Sequence, residues 1–138
     1  MLQADLVVLK GGEPIVVVEA KGRAVSGDFS TAVVRQLQQM AIATNAQWAI
    51  LADPEHVTVY ETSAFGNAVA SLSTDKIRIA ADGEVRQPQG EHTLLVAVES
   101  WLRRLPENAQ VLRTYPELQK LARVLIGADR YSFEYSVA

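Results

Sequence analysis

The chain has 138 residues, 49% of them hydrophobic, and carries a formal net charge of −3 at pH 7, so it suits one core and gives no electrostatic argument for binding nucleic acid. The absence of cysteine excludes disulfides, thiolate zinc sites and a cysteine nucleophile. The two histidines lie in separate segments and do not favour a multi-histidine metal cluster or a serine protease triad. Any chemistry must therefore come mainly from carboxylates, lysine and amides.

The N-terminus lacks the basic, apolar and small-residue pattern of a secretion signal. No uninterrupted apolar run approaches the roughly 20 residues that cross a bilayer. We therefore expect a soluble, cytoplasmic protein without a membrane partner, folded as a single domain over residues 1–138.

The first two predicted strands form a hairpin. The runs ADLVVL (4–9) and PIVVVEA (14–20) are rich in β-branched residues and are separated by KGGE, a hairpin signal. A three-residue loop at 11–13 would place Asp5 opposite Glu19, with both side chains on one face. A two-residue loop would shift the pairing by one and aim the carboxylates at opposite faces, because side chains alternate along a strand.

The second strand ends in Glu19-Ala20-Lys21. Glu19 and Lys21 are two residues apart and therefore share a face whatever the loop does. They can equally be a surface ion pair at a fraying strand end, worth about 0–1 kcal/mol. Asp5, in turn, can be simply a polar residue at a strand start.

A helix is predicted over residues 29–43, with Asp28 as its N-cap. Its apolar residues recur at helical spacing, and Gln36 falls along that stripe and is expected to point toward the sheet. A backbone hydrogen bond by the Gln36 side chain is the alternative. The stripe consists of Phe29, Val33, Leu37, Met40 and Thr44.

The remaining sequence predicts strands, a polar hairpin and helices, but no internal repeat. The final run, YSFEYSV, alternates strictly and predicts a half-buried strand. The predicted elements are strands at 48–53 and 57–61, a hairpin around Asp82-Gly83, helices at 93–105 and 116–126, and the strand at 131–137.

The order of these elements resembles the PD-(D/E)XK nuclease superfamily. The resemblance rests on a strand with Asp5, a turn, a strand ending in Glu19-Ala20-Lys21, a helix with Gln36 and a further strand. Within the superfamily the pattern is most similar to the nuclease domain of type I restriction enzyme motor subunits. The resemblance covers residues 1–61 and leaves 62–138 as an extension; Ala4 stands where the family often has proline.

The resemblance implies a restriction-endonuclease-like α/β fold: a mixed central sheet flanked by helices. The family's first helix and strand have no counterpart before Asp5. It implies that Asp5 and Glu19 ligate Mg²⁺ with the Ala20 carbonyl, that Lys21 sits beside the attacking water, and that Gln36 lines the site.

Elementary chemistry supports the same roles. Mg²⁺ prefers a few carboxylates plus water, and phosphodiester hydrolysis needs a hard cation and a positive group near the attacking oxygen. The sequence therefore predicts a Mg²⁺-dependent DNA endonuclease of restriction or repair type. The alternative is a non-catalytic binding or assembly module on the same fold.

The strand at 4–9 is expected to be a sheet edge if no strand precedes it. Its apolar run carries no proline or charge that would discourage pairing with another chain. Two candidates can cover that edge: the C-terminal run 131–137 folding back, or the same strand of a second molecule in a homodimer, which we favour on sequence grounds.

Overall fold

A computed structural model describes residues 2–77 and 90–137. The hairpin expected around Asp82-Gly83 lies outside the described residues. The strands and helices are β1 (Leu2–Lys10), β2 (Glu13–Ala20), α1 (Gly27–Thr44), β3 (Trp48–Ala52), β4 (His56–Glu61), β5 (Ala70–Ser73), α2 (Glu91–Arg104), α3 (Ala109–Thr114), α4 (Gln119–Leu125) and β6 (Arg130–Val137).

The strands form a six-stranded mixed sheet in the order β5-β4-β3-β2-β1-β6. Only β2 and β3 run parallel among the described strand pairs, and α1 is the crossover between them. The protein is thus an α/β domain with helices on both faces of a mixed sheet. Among the described residues, no helix combines the length and the apolar character needed to cross a membrane.

The β1–β2 connection differs from the predicted loop. Lys10 pairs with Glu13 across a two-residue turn in which Gly11 has φ 59° and Gly12 has φ 82°. Two consecutive glycines with positive φ suit the tight turns that join twisted strands. The expected three-residue loop is therefore wrong.

A bulge nevertheless restores the predicted register. Leu9 pairs with Pro14, but Val8 pairs with Val16, so Ile15 is an extra residue on β2. Val7 then pairs with Val17, which is the register that a pairing of Asp5 with Glu19 implies. The expectation that a two-residue turn must reverse the faces is wrong, because one inserted residue offsets the one-residue shift.

The central strands are buried on both faces, which explains their continuous β-branched runs. On one face α1 packs against Val7, Val17 and Ala49 through Leu37 and Met40. On the other face α2 and α4 cover the alternate residues of the same strands. Members of that second cluster include Leu6, Val8, Val16, Val18, Ile50, Leu94, Val98, Trp101, Leu102, Leu121 and Leu125.

The outer side of β1 is covered by β6. Leu6 pairs with Phe133 and Val8 with Tyr131 in an antiparallel ladder. The expectation of a dimer through an exposed β1 edge is therefore not met: the C-terminal run occupies that edge, as the other candidate proposed. Its strict alternation is broken at Glu134, where φ is 52° and where the packing of the strand changes from one face to the other.

Several predicted elements are confirmed with shifted ends. The first helix begins at Gly27, so the residue at its N-cap is Ser26, and the predicted cap Asp28 lies in the first turn. An acidic residue is favourable there because it faces the positive end of the helix dipole. The helix predicted at 116–126 is a 3₁₀ turn followed by α4, and the sequence did not predict β5 or α3.

Candidate active site

The site lies where the described β1–β2 ladder ends. Leu6 and Val18 are the last residues that pair in this ladder. Beyond them, the Asp5 side chain and not the β1 backbone bonds to β2. Its Oδ2 accepts a hydrogen bond from the backbone N–H of Ala20 at 2.9 Å. Asp5 is thereby fixed against the strand end that carries Glu19. This structural role of Asp5 near the start of a strand is compatible with a role as a metal ligand.

Glu19 is the most constrained acidic side chain of the site. It is only 5% exposed, and its Oε1 is buried without a hydrogen-bond partner among the described residues. The pKa of Glu19 is raised to about 8, chiefly by burial and then by the Asp5 charge and a side-chain hydrogen bond with Asp5; the Lys21 charge opposes the change. A buried carboxyl group of this kind needs a proton or a cation at neutral pH.

Lys21 extends the β2–β3 ladder by one residue. Its backbone N–H donates to the Ala52 carbonyl at 2.9 Å, and the side chain is partly buried. The ammonium group acts on the pKa of Glu19 without forming a salt bridge within the described part of the chain. A simple Glu19–Lys21 surface ion pair is therefore not what the structure contains.

Gln36 does not point toward the sheet. The buried stripe of α1 consists of Val33, Leu37, Met40, Ala41 and Thr44, whereas Gln36 is exposed. At 100° per residue it lies roughly 80° around the helix from the centre of that stripe. The expected orientation is wrong; its role in lining the site remains a prediction.

Two acidic residues near Lys21 were missed by the sequence analysis. Asp53 follows β3 directly and is 5% exposed, and its Oδ2 accepts from the Val25 N–H at 3.1 Å. Glu91 opens α2, and its Oε1 accepts from the Gly22 N–H at 3.2 Å. The Asp-Pro pair after a strand was the available signal for Asp53, because aspartate favours turns through its own backbone bonds.

The donor set for a cation is small. Among residues 2–77 and 90–137, no group of three or more His, Asp or Glu side chains is arranged to hold a metal ion. Asp5 and Glu19 are a pair, and the Ala20 carbonyl remains a predicted third ligand. Two carboxylates with water completing the shell fit Mg²⁺, which keeps several waters, better than they fit an ion that needs a full protein cage.

One sizeable cavity lies away from this pair. A cavity of about 670 Å³ lies at the opposite end of β3, beside Trp48, Lys120 and Arg123. The cavity therefore bears on neither interpretation of the pair.

Comparisons with protein-family models, with curated proteins and with solved structures found no match. The resemblance to PD-(D/E)XK nucleases therefore rests on the residues and on the order of the elements that carry them.

Proposed function

We propose that this protein is a Mg²⁺-dependent nuclease domain that hydrolyses phosphodiester bonds in DNA. The observation that carries the proposal is the buried, unpartnered Oε1 of Glu19, which lies beside Asp5 and within electrostatic reach of Lys21. A structural glutamate would normally be paired or hydrogen-bonded. A buried acid with another acid as its neighbour is instead typical of a site that a cation completes.

Asp5 and Glu19 are the residues that would hold the cation. Asp5 is anchored by the Ala20 N–H, and Glu19 is enclosed by the sheet, so both carboxylates are presented by strands and not by loops. When bound, a divalent cation offsets charge on phosphoryl oxygens and lowers the pKa of its water.

Lys21 has a separate role in the proposal. Its charge lowers the pKa of the buried Glu19, and the ammonium group forms no direct salt bridge within the described chain. A cation of this kind stabilises negative charge that develops on an attacking oxygen or on the phosphoryl group. Loss of such a preorganised group typically lowers turnover by about 10²-fold or more.

The topology supports the finer fold assignment. The acid-bearing hairpin β1–β2 is followed by α1 and by β3 parallel to β2, which is the order expected of a restriction-endonuclease-like core. The strand beside β1 is β6, so the C-terminal extension fills the place that the resemblance gives to a preceding strand. The proposal therefore includes a restriction-endonuclease-like fold for the domain. It also includes a cytoplasmic location.

DNA is the proposed partner despite the acidic average charge. Arg23 follows Lys21 by two residues, is exposed, and lies over the Phe29 ring at 3.9 Å from its centroid. The stacking holds a cation near the site, where it is available to a phosphate backbone. The charge that matters for binding DNA is thus the positive charge near the site and not the net charge of the whole chain.

The alternative, a non-catalytic binding or assembly module, has one observation in its favour. The described residues bring no third acidic side chain together with Asp5 and Glu19 as a metal-binding group, and Gln36 is exposed. A degenerate member of the fold would look similar. The two functions differ in whether the protein cleaves DNA at all, and cleavage by the proposed site should depend on Lys21.

Cleavage of supercoiled plasmid DNA, with and without Mg²⁺, tests the proposal. Wild type should nick the plasmid only with Mg²⁺, and Lys21→Ala should be at least about 10²-fold slower. Lys120→Ala is the matched control, since Lys120 is 71% exposed and lies beside the distant cavity. Equal rates for wild type and Lys21→Ala would remove Lys21 from the mechanism.

A further inference from the structure

The segment 21–25, which carries Lys21, is irregular chain between β2 and α1. Its backbone is nonetheless held at three points. The Lys21 N–H donates to Ala52, the Gly22 N–H to Glu91, and the Val25 N–H to Asp53. Two of these acceptors are carboxylates, so the placement of the segment depends on particular side chains.

Asp53 is the more buried of the two carboxylates. Its Oδ1 accepts from the N–H groups of Glu55 at 2.7 Å and His56 at 2.8 Å, while its Oδ2 accepts from Val25 at 3.1 Å. One carboxylate therefore closes the β3–β4 turn and ties the Lys21 segment to it. Among the described residues, Asp53 is the one whose side chain joins the β3–β4 turn to the Lys21 segment by hydrogen bonds.

The position of Asp53 along the sheet explains why this tie bears on Lys21. Ala20 pairs with Ala52 in the parallel ladder, and Lys21 continues it by donating to the Ala52 carbonyl. Asp53 is therefore the next residue of the neighbouring strand at the level of Lys21. The Asp53 carbonyl is itself fixed, because it accepts from the Thr74 hydroxyl at 2.7 Å.

We propose that Asp53 is a positioning residue that holds the segment 21–25 so that the Lys21 ammonium stays beside the Asp5–Glu19 pair. The catalytic half of this inference rests on the proposed nuclease function. Asp53 touches neither metal nor substrate in the proposal, since all three of its carboxylate bonds go to backbone N–H groups.

Asp53→Asn separates the two tasks of the side chain. Asparagine keeps one acceptor oxygen and replaces the other with an NH₂ group, which only donates. With its oxygen toward Glu55 and His56, the variant retains both turn bonds and places donor against donor at Val25. The variant should therefore fold with its turn intact and release the Lys21 segment.

The experiment is a double-mutant cycle of Asp53→Asn and Lys21→Ala, with Asp129→Asn as an exposed control. Amide hydrogen exchange is followed in the same variants. Asp53→Asn should lower kcat about 10–100-fold, while KM and Mg²⁺ affinity stay near wild type. In the Lys21→Ala background it should change kcat by less than about twofold, because coupled residues are not additive.

Exchange at Gly22 and Val25 should accelerate in Asp53→Asn and not in Asp129→Asn, while the β3 amides stay protected. An equal loss of kcat in both backgrounds, or a loss of Mg²⁺ affinity, overturns the inference by placing the effect outside Lys21. Unchanged exchange at Val25 also overturns it. A wild type that cleaves no DNA defeats the proposed function instead, and the exchange data then decide whether Asp53 holds the segment.

Discussion

Asp5 accepts a hydrogen bond from the Ala20 N–H at 2.9 Å, where a regular ladder would offer a backbone carbonyl. A side chain of β1 thus completes β2 at the point where the candidate site begins. The same contact keeps the Asp5 charge next to the buried Glu19.

Asp5→Asn should lower the pKa of Glu19 from its value of about 8. Asparagine can still accept from Ala20 but carries no charge, so the Asp5 repulsion disappears while the burial remains. The pKa should stay above its ordinary value because burial is the larger cause. NMR titration of the Glu19 carboxyl group measures this, and an unchanged pKa would show that Asp5 exerts no charge effect.

Metal-free stability should fall as the pH rises from about 4.5 to about 8, the ordinary and folded pKa values of Glu19. The folded protein holds the Glu19 proton more tightly than the unfolded chain does, so raising the pH favours unfolding over that interval. Glu19→Gln should be more stable than wild type at pH 8, by on the order of a few kcal/mol. Urea unfolding of both proteins at pH 5 and pH 8 checks this. If the stability of wild type relative to Glu19→Gln increased from pH 5 to pH 8, the result would contradict the prediction.

Gly12→Ala should destabilise the protein by about 1 kcal/mol, since Gly12 has φ 82°. Nothing lies within 4 Å of the added Cβ, so the effect is conformational. Gly66→Ala is the matched control: its surroundings are equally open, and its φ lies outside the left-handed range. Similar urea midpoints for the two variants would argue against the two-residue turn.

A chain ending at Asp129 should self-associate. It lacks β6, so the apolar strand β1 loses its antiparallel partner and exposes unpaired backbone groups. Sedimentation velocity should show dimers or larger species for this chain at concentrations where the full chain has its monomer mass. A truncated chain that stays folded and monomeric would show that β1 tolerates a bare edge.

The hairpin shows what the sequence can predict and how. Its strands followed from their composition and from the glycine turn, whereas the register in which Val7 pairs with Val17 was predicted from a three-residue loop that the structure does not contain. The bulge at Ile15 did not, because an inserted residue leaves no mark in a run of β-branched side chains. The register was right while the loop was wrong, since two one-residue differences cancel.

Long-range contacts account for the other differences. Gln36 sits at the border of the α1 stripe, and only the packed position of the helix decides that it is exposed. Asp53 looked like an ordinary turn residue, and its bond to Val25 joins segments 28 residues apart. Whether β6 or a second chain covers β1 depends on how the chain returns after α4, and local patterns do not specify that return.

The most direct test of the central claim is calorimetric titration of Mg²⁺ into wild type and Glu19→Gln at pH 7, in two buffers of different ionisation enthalpy. Because the pKa of Glu19 is about 8, the carboxyl is mostly protonated at pH 7 and must lose its proton to bind a cation. We expect wild type to bind Mg²⁺ saturably and to release close to one proton per chain, and we expect no such binding by Glu19→Gln. Absence of saturable binding in wild type, or equal binding by Glu19→Gln, would contradict it.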